Sequence, residues 1–175
     1  MLSTRVSAQV EGKKNIFGIQ LGGVVSSIEG YDAEKRTGLI GGLYWEYRIS
    51  RKFSLMSNML YSQRGEKGLE NLSDIKLDYI NMPIMLKFAL LPELGISTGI
   101  NSDILLGIKG IGISRKDFKG SDWGIPLGIS LDISKRLQLG GIINYGLMNV
   151  VKNEIPQSSQ VKNHWGSFTL SYIFR

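Results

Sequence analysis

The chain has 175 residues, no cysteine and one histidine, His164. The first absence excludes a disulfide framework and any thiolate metal site. The second leaves no histidine cluster to hold a metal. No stretch reaches the roughly 18 apolar residues that a membrane-crossing helix needs. Proline occurs only 4 times, whereas glycine occurs 22 times, about twice its usual share. That balance is odd for a soluble α/β enzyme and natural for closely packed strands. Charged residues make up 21% of the chain, so composition does not imply disorder. The formal net charge is +6, yet Lys and Arg form no stripe interleaved with aromatics. They lie mostly between periodic segments, so they read as solvated connections and not as a nucleic-acid surface.

What is present is alternation. From Gly124 to Ile133 one face carries Ile125, Leu127, Ile129, Leu131 and Ile133. The other carries Gly124, Pro126, Gly128, Ser130 and Asp132. A period of two is an extended strand with one apolar side. The pattern recurs over Ile16–Ser26, Thr37–Ser50, Phe53–Arg64, Leu77–Ala89, Gly95–Gly107, Asp122–Ile133, Leu137–Asn149 and Trp165–Phe174. Most of these segments are longer than a typical globular strand of about 5–6 residues. They match the roughly 9–11 residues of a tilted strand that crosses a bilayer.

The connections alternate too. Arg51-Lys52, Leu91-Pro92-Glu93 and Ser134-Lys135-Arg136 are tight, while Ser27–Arg36, Gly65–Lys76, Ile108–Ser121 and Val150–His164 are long and polar. Short turns at one end and long loops at the other characterise outer-membrane barrels. The expected fold is an all-β, eight-stranded antiparallel up-and-down transmembrane β-barrel over residues 15–175, with both termini on the short-turn, periplasmic side. Residues 1–14 would be a leader remnant or a periplasmic segment. Val6-Ser7-Ala8 offers small residues that suit a signal peptidase, with Gln9 as the first mature residue, but the apolar core expected upstream is missing.

Polarity distinguishes a membrane barrel from a lipocalin-like one. Charges inside the segments are few: Glu46, Arg48, Lys87, Asp103 and Asp132, with Arg64 and Asp78 at segment ends. A water-facing exterior needs many more. The small, polar face (Gly22, Gly42, Asn58, Gly99, Asn101, Gly128, Ser130, Gly140, Asn144, Gly146) therefore points into a crowded lumen. Glu46, Arg48, Lys87, Asn101, Asp103 and Asp132 form its expected polar network, with Glu46 and Arg48 on one face and Lys87 opposite Asp103 or Asp132. Leu127, Ile129 and Leu131 belong to the expected lipid-facing band, as do Phe17, Ile19, Leu21, Leu39, Leu43, Met59, Ile84, Ile100, Ile143 and Leu170. Tyr47, Phe53, Phe88, Tyr172 and Phe174 are expected in the periplasmic aromatic girdle, and Tyr61, Trp123 and Trp165 in the outer one. Pro83 and Pro126 interrupt two segments, and a bulge or an early strand end is expected at each.

Four stretches carry a family resemblance: Phe17-Gly18-Ile19-Gln20-Leu21-Gly22-Gly23, Leu60-Tyr61-Ser62-Gln63-Arg64-Gly65, Leu77-Asp78-Tyr79-Ile80-Asn81-Met82-Pro83 and Leu170-Ser171-Tyr172-Ile173-Phe174. The chain resembles the PorT-like outer-membrane β-barrel proteins of Bacteroidota, relatives in architecture of the small OmpX/OmpA-type barrels. The resemblance implies the outer membrane, and for some members a tie to protein secretion through the type IX system. It implies no single activity. The closing alternation of Phe168, Leu170, Tyr172 and Phe174 resembles the signal read by the barrel-assembly machinery, although Arg175 follows the aromatic end.

Few residues suggest chemistry, and no cofactor is expected. His164 and Ser167 are candidates for a lipid-modifying hydrolase, but a spacing of three puts them on opposite faces of a strand, and no G-x-S-x-G elbow is present. Asn101 and Asp103 supply too few oxygens for Ca²⁺. Gly18, Gly22 and Gly23 imitate a phosphate loop but lack its lysine and helix. Eight strands enclose only enough room for side chains. Lys35, Arg36, Lys67, Lys109, Lys119 and Lys162 make outer-membrane lipid and lipopolysaccharide the expected partners, beside an unidentified envelope protein. The first reading is a non-enzymatic barrel with a structural, adhesive or accessory role. A soluble lipocalin-like barrel holding an apolar ligand is the second, and the hydrolase the third.

Overall fold

The computed structural model describes residues 14–28, 34–67, 75–110, 115, 118–148 and 162–174. Eight strands follow one another: β1 (Asn15–Ile28), β2 (Glu34–Arg48), β3 (Phe53–Lys67), β4 (Ile75–Ala89), β5 (Leu94–Lys109), β6 (Ser121–Asp132), β7 (Leu137–Gly146) and β8 (Asn163–Phe174). Each pairs antiparallel with its sequence neighbours, and β8 returns to β1, closing the sheet in the order β1 to β8. Closure leaves no strand edge, so ladder donors and acceptors are satisfied within the wall.

At the long-connection end, the first six strands and β8 outrun the apolar alternation. β1 continues to Ile28, β2 begins at Glu34, β3 reaches Lys67 and β4 begins at Ile75. Pairing with a neighbour carries the backbone past the point where the outer face turns polar. β7 stops earlier than its alternation, at Gly146. The leader segment 1–13, the connections 29–33, 68–74 and 149–161, and Arg175 lie outside the described residues.

Two of the three tight turns share a serine device. Ser50 Oγ accepts from the Lys52 and Phe53 amides at 3.2 and 3.0 Å. Ser134 Oγ accepts from the Arg136 and Leu137 amides at 3.2 and 3.1 Å. A serine hydroxyl thus takes up donors that the turn would leave open.

The prolines do not produce the expected bulges. Pro83 keeps register with Asn101, and the β3–β4 register is the same on either side of it. What is lost is pairing opposite Asn58 and Met59, because proline has no N–H to give. Pro126 behaves alike: β5–β6 pairing skips Gly99 and Ile100 without a shift. The register instead slips near Leu106, between Asp78–Gly107 and Tyr79–Leu105, and in β2 between Lys35 and Ile40. Opposite the second slip Gly65 takes φ 131°, a backbone that favours glycine. There the Ser26 hydroxyl donates to the Gly65 carbonyl at 3.0 Å and accepts from its amide at 3.1 Å, replacing missing ladder bonds.

Side-chain direction inverts that of a soluble protein. Leu21, Leu39, Ile100, Ile129, Ile143 and Phe168 stand exposed on the outside, while Asn81, Asn101, Asp103 and Ser171 are buried inside. An apolar exterior of this extent is a surface for hydrocarbon.

Candidate functional site

The inward parity of β3 runs Ser54, Met56, Asn58, Leu60, Ser62, Arg64, and all six are buried. Arg64 ends this row in the half of the lumen nearer the long connections. Its Nη1 donates to Asp103 Oδ2 at 2.6 Å, and both side chains are 1% exposed. The guanidinium lies between two rings, 4.2 Å from the centroid of Trp165 and 5.0 Å from that of Tyr79. Trp165 Nε1 also donates to Asp103 Oδ2, at 3.2 Å. Asn101 Nδ2 donates to Asp103 Oδ1 at 2.7 Å, and Asn81 Nδ2 donates to the same oxygen. Four donors meet four lone-pair sites, which is what a carboxylate out of water requires. Arginine suits the place because it stacks and hydrogen-bonds at once.

A second network lies toward the short turns. Lys87 Nζ donates to Glu46 Oε2 at 3.3 Å, Tyr44 OH donates to the same oxygen, and Arg48 Nε stands 4.0 Å from Oε1. Gln138 Nε2 donates to Asp132 Oδ1 at 2.7 Å. Glu46, Arg48, Lys87 and Asp132 line a vestibule of about 340 Å³ at the short-turn mouth.

Between the networks the lumen is filled by two apolar clusters and by buried polar side chains, among them Asn58 and Gln20, whose Nε2 donates to Ser171 Oγ at 2.8 Å. Ile16, Tyr44, Met56, Met85 and Ile173 form one buried cluster, and Val24, Ile40, Leu60 and Trp165 another. Ile142 packs against both.

Several sequence expectations need correction. Lys87 meets Glu46, not Asp103 or Asp132, because Asp103 sits in the other half of the lumen with Arg64. Asn101 and Asp103 belong together, with Arg64 as the cation. Trp165 is not part of the outer girdle: it is 2% exposed and faces the lumen, because it shares the inward parity of Thr169, Ser171 and Ile173. Reading β8 parity back from Ser171 would have found it. Arg64, Tyr44, Tyr79 and Asn81 are network residues that apolar alternation alone does not reveal; the inward register followed to the strand ends does.

On the wall, Leu127, Ile129 and Leu131 are 50%, 55% and 44% exposed. A lipocalin-like barrel would turn them inward around a ligand, so that reading fails. Tyr61 and Trp123 face outward toward the long connections, and Tyr145, absent from the expected girdle, joins them. The Tyr61 hydroxyl donates to Asp78 at 2.8 Å. Near the short turns Tyr47 stacks with Trp45 at 6.4 Å, Phe53 packs at a tilt against Phe88 at 5.1 Å, and Tyr172 meets Phe174 edge-on at 5.8 Å. His164 packs edge-on against Tyr145 outside the barrel, whereas Ser167 pairs with Val24 and Ile142 on the lumen parity. The two cannot act as nucleophile and base. Of the basic residues, Lys35 and Lys109 are exposed, Arg36, Lys119 and Lys162 are half-buried, and the side chain of Lys67 lies outside the described residues.

Residues 4–152 match the family described as outer membrane protein beta-barrel domain. No curated protein sequence matches the chain. Among solved structures, Ail, the attachment invasion locus protein of Yersinia pestis, is 15% identical with a TM-score of 0.58, over 93% of this chain and 100% of that one. Neisserial surface protein A is 17% identical with a TM-score of 0.54, over 94% of this chain and 100% of that one. At such identities the likeness is one of fold. The family match spans most of the chain, and with the inverted polarity it fixes the assignment: the chain belongs to the outer-membrane β-barrel domain family and is an integral barrel of that membrane.

Proposed function

We propose that the barrel is a closed, non-catalytic element of the envelope that works through its surfaces and not through its lumen. The carrying observation is a lumen filled by side chains: two buried apolar clusters, one around Tyr44 and Met85 and one around Val24, Ile40 and Leu60, with Gln20 hydrogen-bonded to Ser171 and Asn58 buried beside them. A lumen packed in this way leaves no open path for solute, in keeping with the side-chain-filled interior of eight-stranded barrels. The separation of His164 from Ser167 supports the non-catalytic reading. Exposed Lys35, Lys109 and Arg115 near the long connections favour contact with anionic lipopolysaccharide. The role would be structural, adhesive or accessory. The likeness to PorT-like proteins of Bacteroidota points to an accessory part in secretion, and the alternating aromatic end of β8 supports insertion by the barrel-assembly machinery. The described strands begin at Asn15, which suits a barrel domain of 15–175.

The test is flux through the reconstituted full chain. Vesicles loaded with a small sugar should stay tight, and planar bilayers should show no stable open channel. Steady conductance at low voltage would contradict the proposal.

A further inference from the structure

One face of the lipid-directed wall is hollow. A groove of about 690 Å³ runs across β6, β7, β8, β1 and β2. Its outward rows are in register: Leu127, Ile143, Gly166, Val25 and Thr37 in one, and Ile129, Gly141, Phe168 and Gly23 in the next. Five strands at about 4.8 Å spacing make it roughly 19 Å wide across the strands.

Its glycines differ from those of the lumen. A Cβ at Gly22 would collide with the carbonyl oxygen of Phe168, so close strand approach explains that residue. A Cβ at Gly23 would meet nothing nearer than 3.9 Å, and one at Gly166 nothing nearer than 3.7 Å. Wall packing does not require glycine at either place. Glycine inside a strand weakens it, and it often marks a place where another group comes close. The space these residues leave lies outside the wall, where hydrocarbon lies.

The groove has one charged border. Lys35 follows the same face of β2 two residues beyond Thr37, and His164 stands two residues from Gly166 on β8, packed on Tyr145 at 5.9 Å. The opposite border is the leucine row of Leu131, Leu139, Leu170 and Leu21. An amphiphile with an anionic head and one apolar tail matches this order. From His164 at the charged border to Leu170 in the leucine row is six residues of β8, about 20 Å along the strand, comparable with the roughly 15 Å depth of one leaflet of the hydrocarbon core.

We propose that the groove seats one acyl chain of an anionic membrane lipid, with the headgroup phosphate at Lys35 and the Tyr145–His164 pair. The proposal rests on the lipid-contact reading above and gives it a place.

The full chain, refolded in neutral detergent, is examined by native mass spectrometry with dimyristoyl phosphatidylglycerol or dimyristoyl phosphatidylcholine. The parent should retain one phosphatidylglycerol per barrel and less phosphatidylcholine. Gly166→Leu and Gly23→Leu, each made separately where a side chain has room, should lose the retained lipid. Lys35→Gln should keep a lipid but lose the preference between headgroups. Ser102→Leu, on β5 away from the groove, should behave as the parent. Equal retention by parent and both glycine variants would overturn the proposal. So would a parent dimer that the glycine variants abolish, because the groove would then be a contact between two copies. Flotation with phosphatidylcholine vesicles separates the two levels: a parent that inserts yet retains no lipid sinks the groove alone, and a parent that does not insert sinks the membrane reading with it.

Discussion

Arg64 on β3 and Asp103 on β5 meet across the lumen at 2.6 Å, with β4 between them and both side chains sealed from solvent. Removing one partner of such a pair leaves a buried charge alone, at a cost of about 3–5 kcal/mol. Arg64→Met should therefore lower the urea-unfolding free energy in lipid vesicles by about that amount. A loss too small to measure would mean that Asp103 is held well enough by Asn81, Asn101 and Trp165.

Trp165 and Trp123 should respond oppositely to their surroundings. Trp165→Ala removes a ring packed on Arg64 and clustered with Val24, Ile40 and Leu60, and should cost about 3–5 kcal/mol. Trp123 lies outside and half-exposed, so its substitution should cost much less. Fluorescence checks the placement without relying on stability. Brominated lipid should quench Trp123 strongly and Trp165 little.

The paired serine turns predict equal and modest effects. Ser50→Ala and Ser134→Ala each remove a hydroxyl that accepts from two amides. The turns are exposed, and water takes over the freed donors. Each variant should lose about 1 kcal/mol in urea titration, with the barrel still forming.

Leu127 and Ile129 stand outward between strands at the middle of the wall. Replacing either by Arg should cost about 2–4 kcal/mol if that level is near the bilayer midplane. Lys135, in a turn, should accept Leu with little change in the same vesicle-unfolding assay.

The sequence made the barrel legible because its exterior and its turns are written in short-range patterns. Leu127, Ile129 and Leu131 alternate with Gly128, Ser130 and Asp132, and three tight turns alternate with long connections. The lumen was harder to read. Arg64 and Asp103 are far apart in the chain, and their meeting depends on register across β4, which is set by all neighbouring strands together. Lys87 could not be matched to Glu46 for the same reason. Trp165 reads as an interface residue because tryptophan is common at membrane interfaces, while its parity with Ser171 and Ile173 puts it inside. Pro83 and Pro126 showed a different limit: the wall gives up individual ladder bonds without changing register.

The central claim is the inverted polarity of the wall, and the cysteine-free chain allows it to be read position by position. Leu127→Cys, Ile129→Cys, Leu131→Cys, Ser130→Cys and Asp132→Cys, each spin-labelled in lipid vesicles, report their surroundings through collision with oxygen dissolved in the bilayer. Labels at 127, 129 and 131 should be strongly oxygen-accessible, while those at 130 and 132 should be shielded. The opposite phase, with 130 and 132 in lipid and the three odd positions enclosed, would contradict the account.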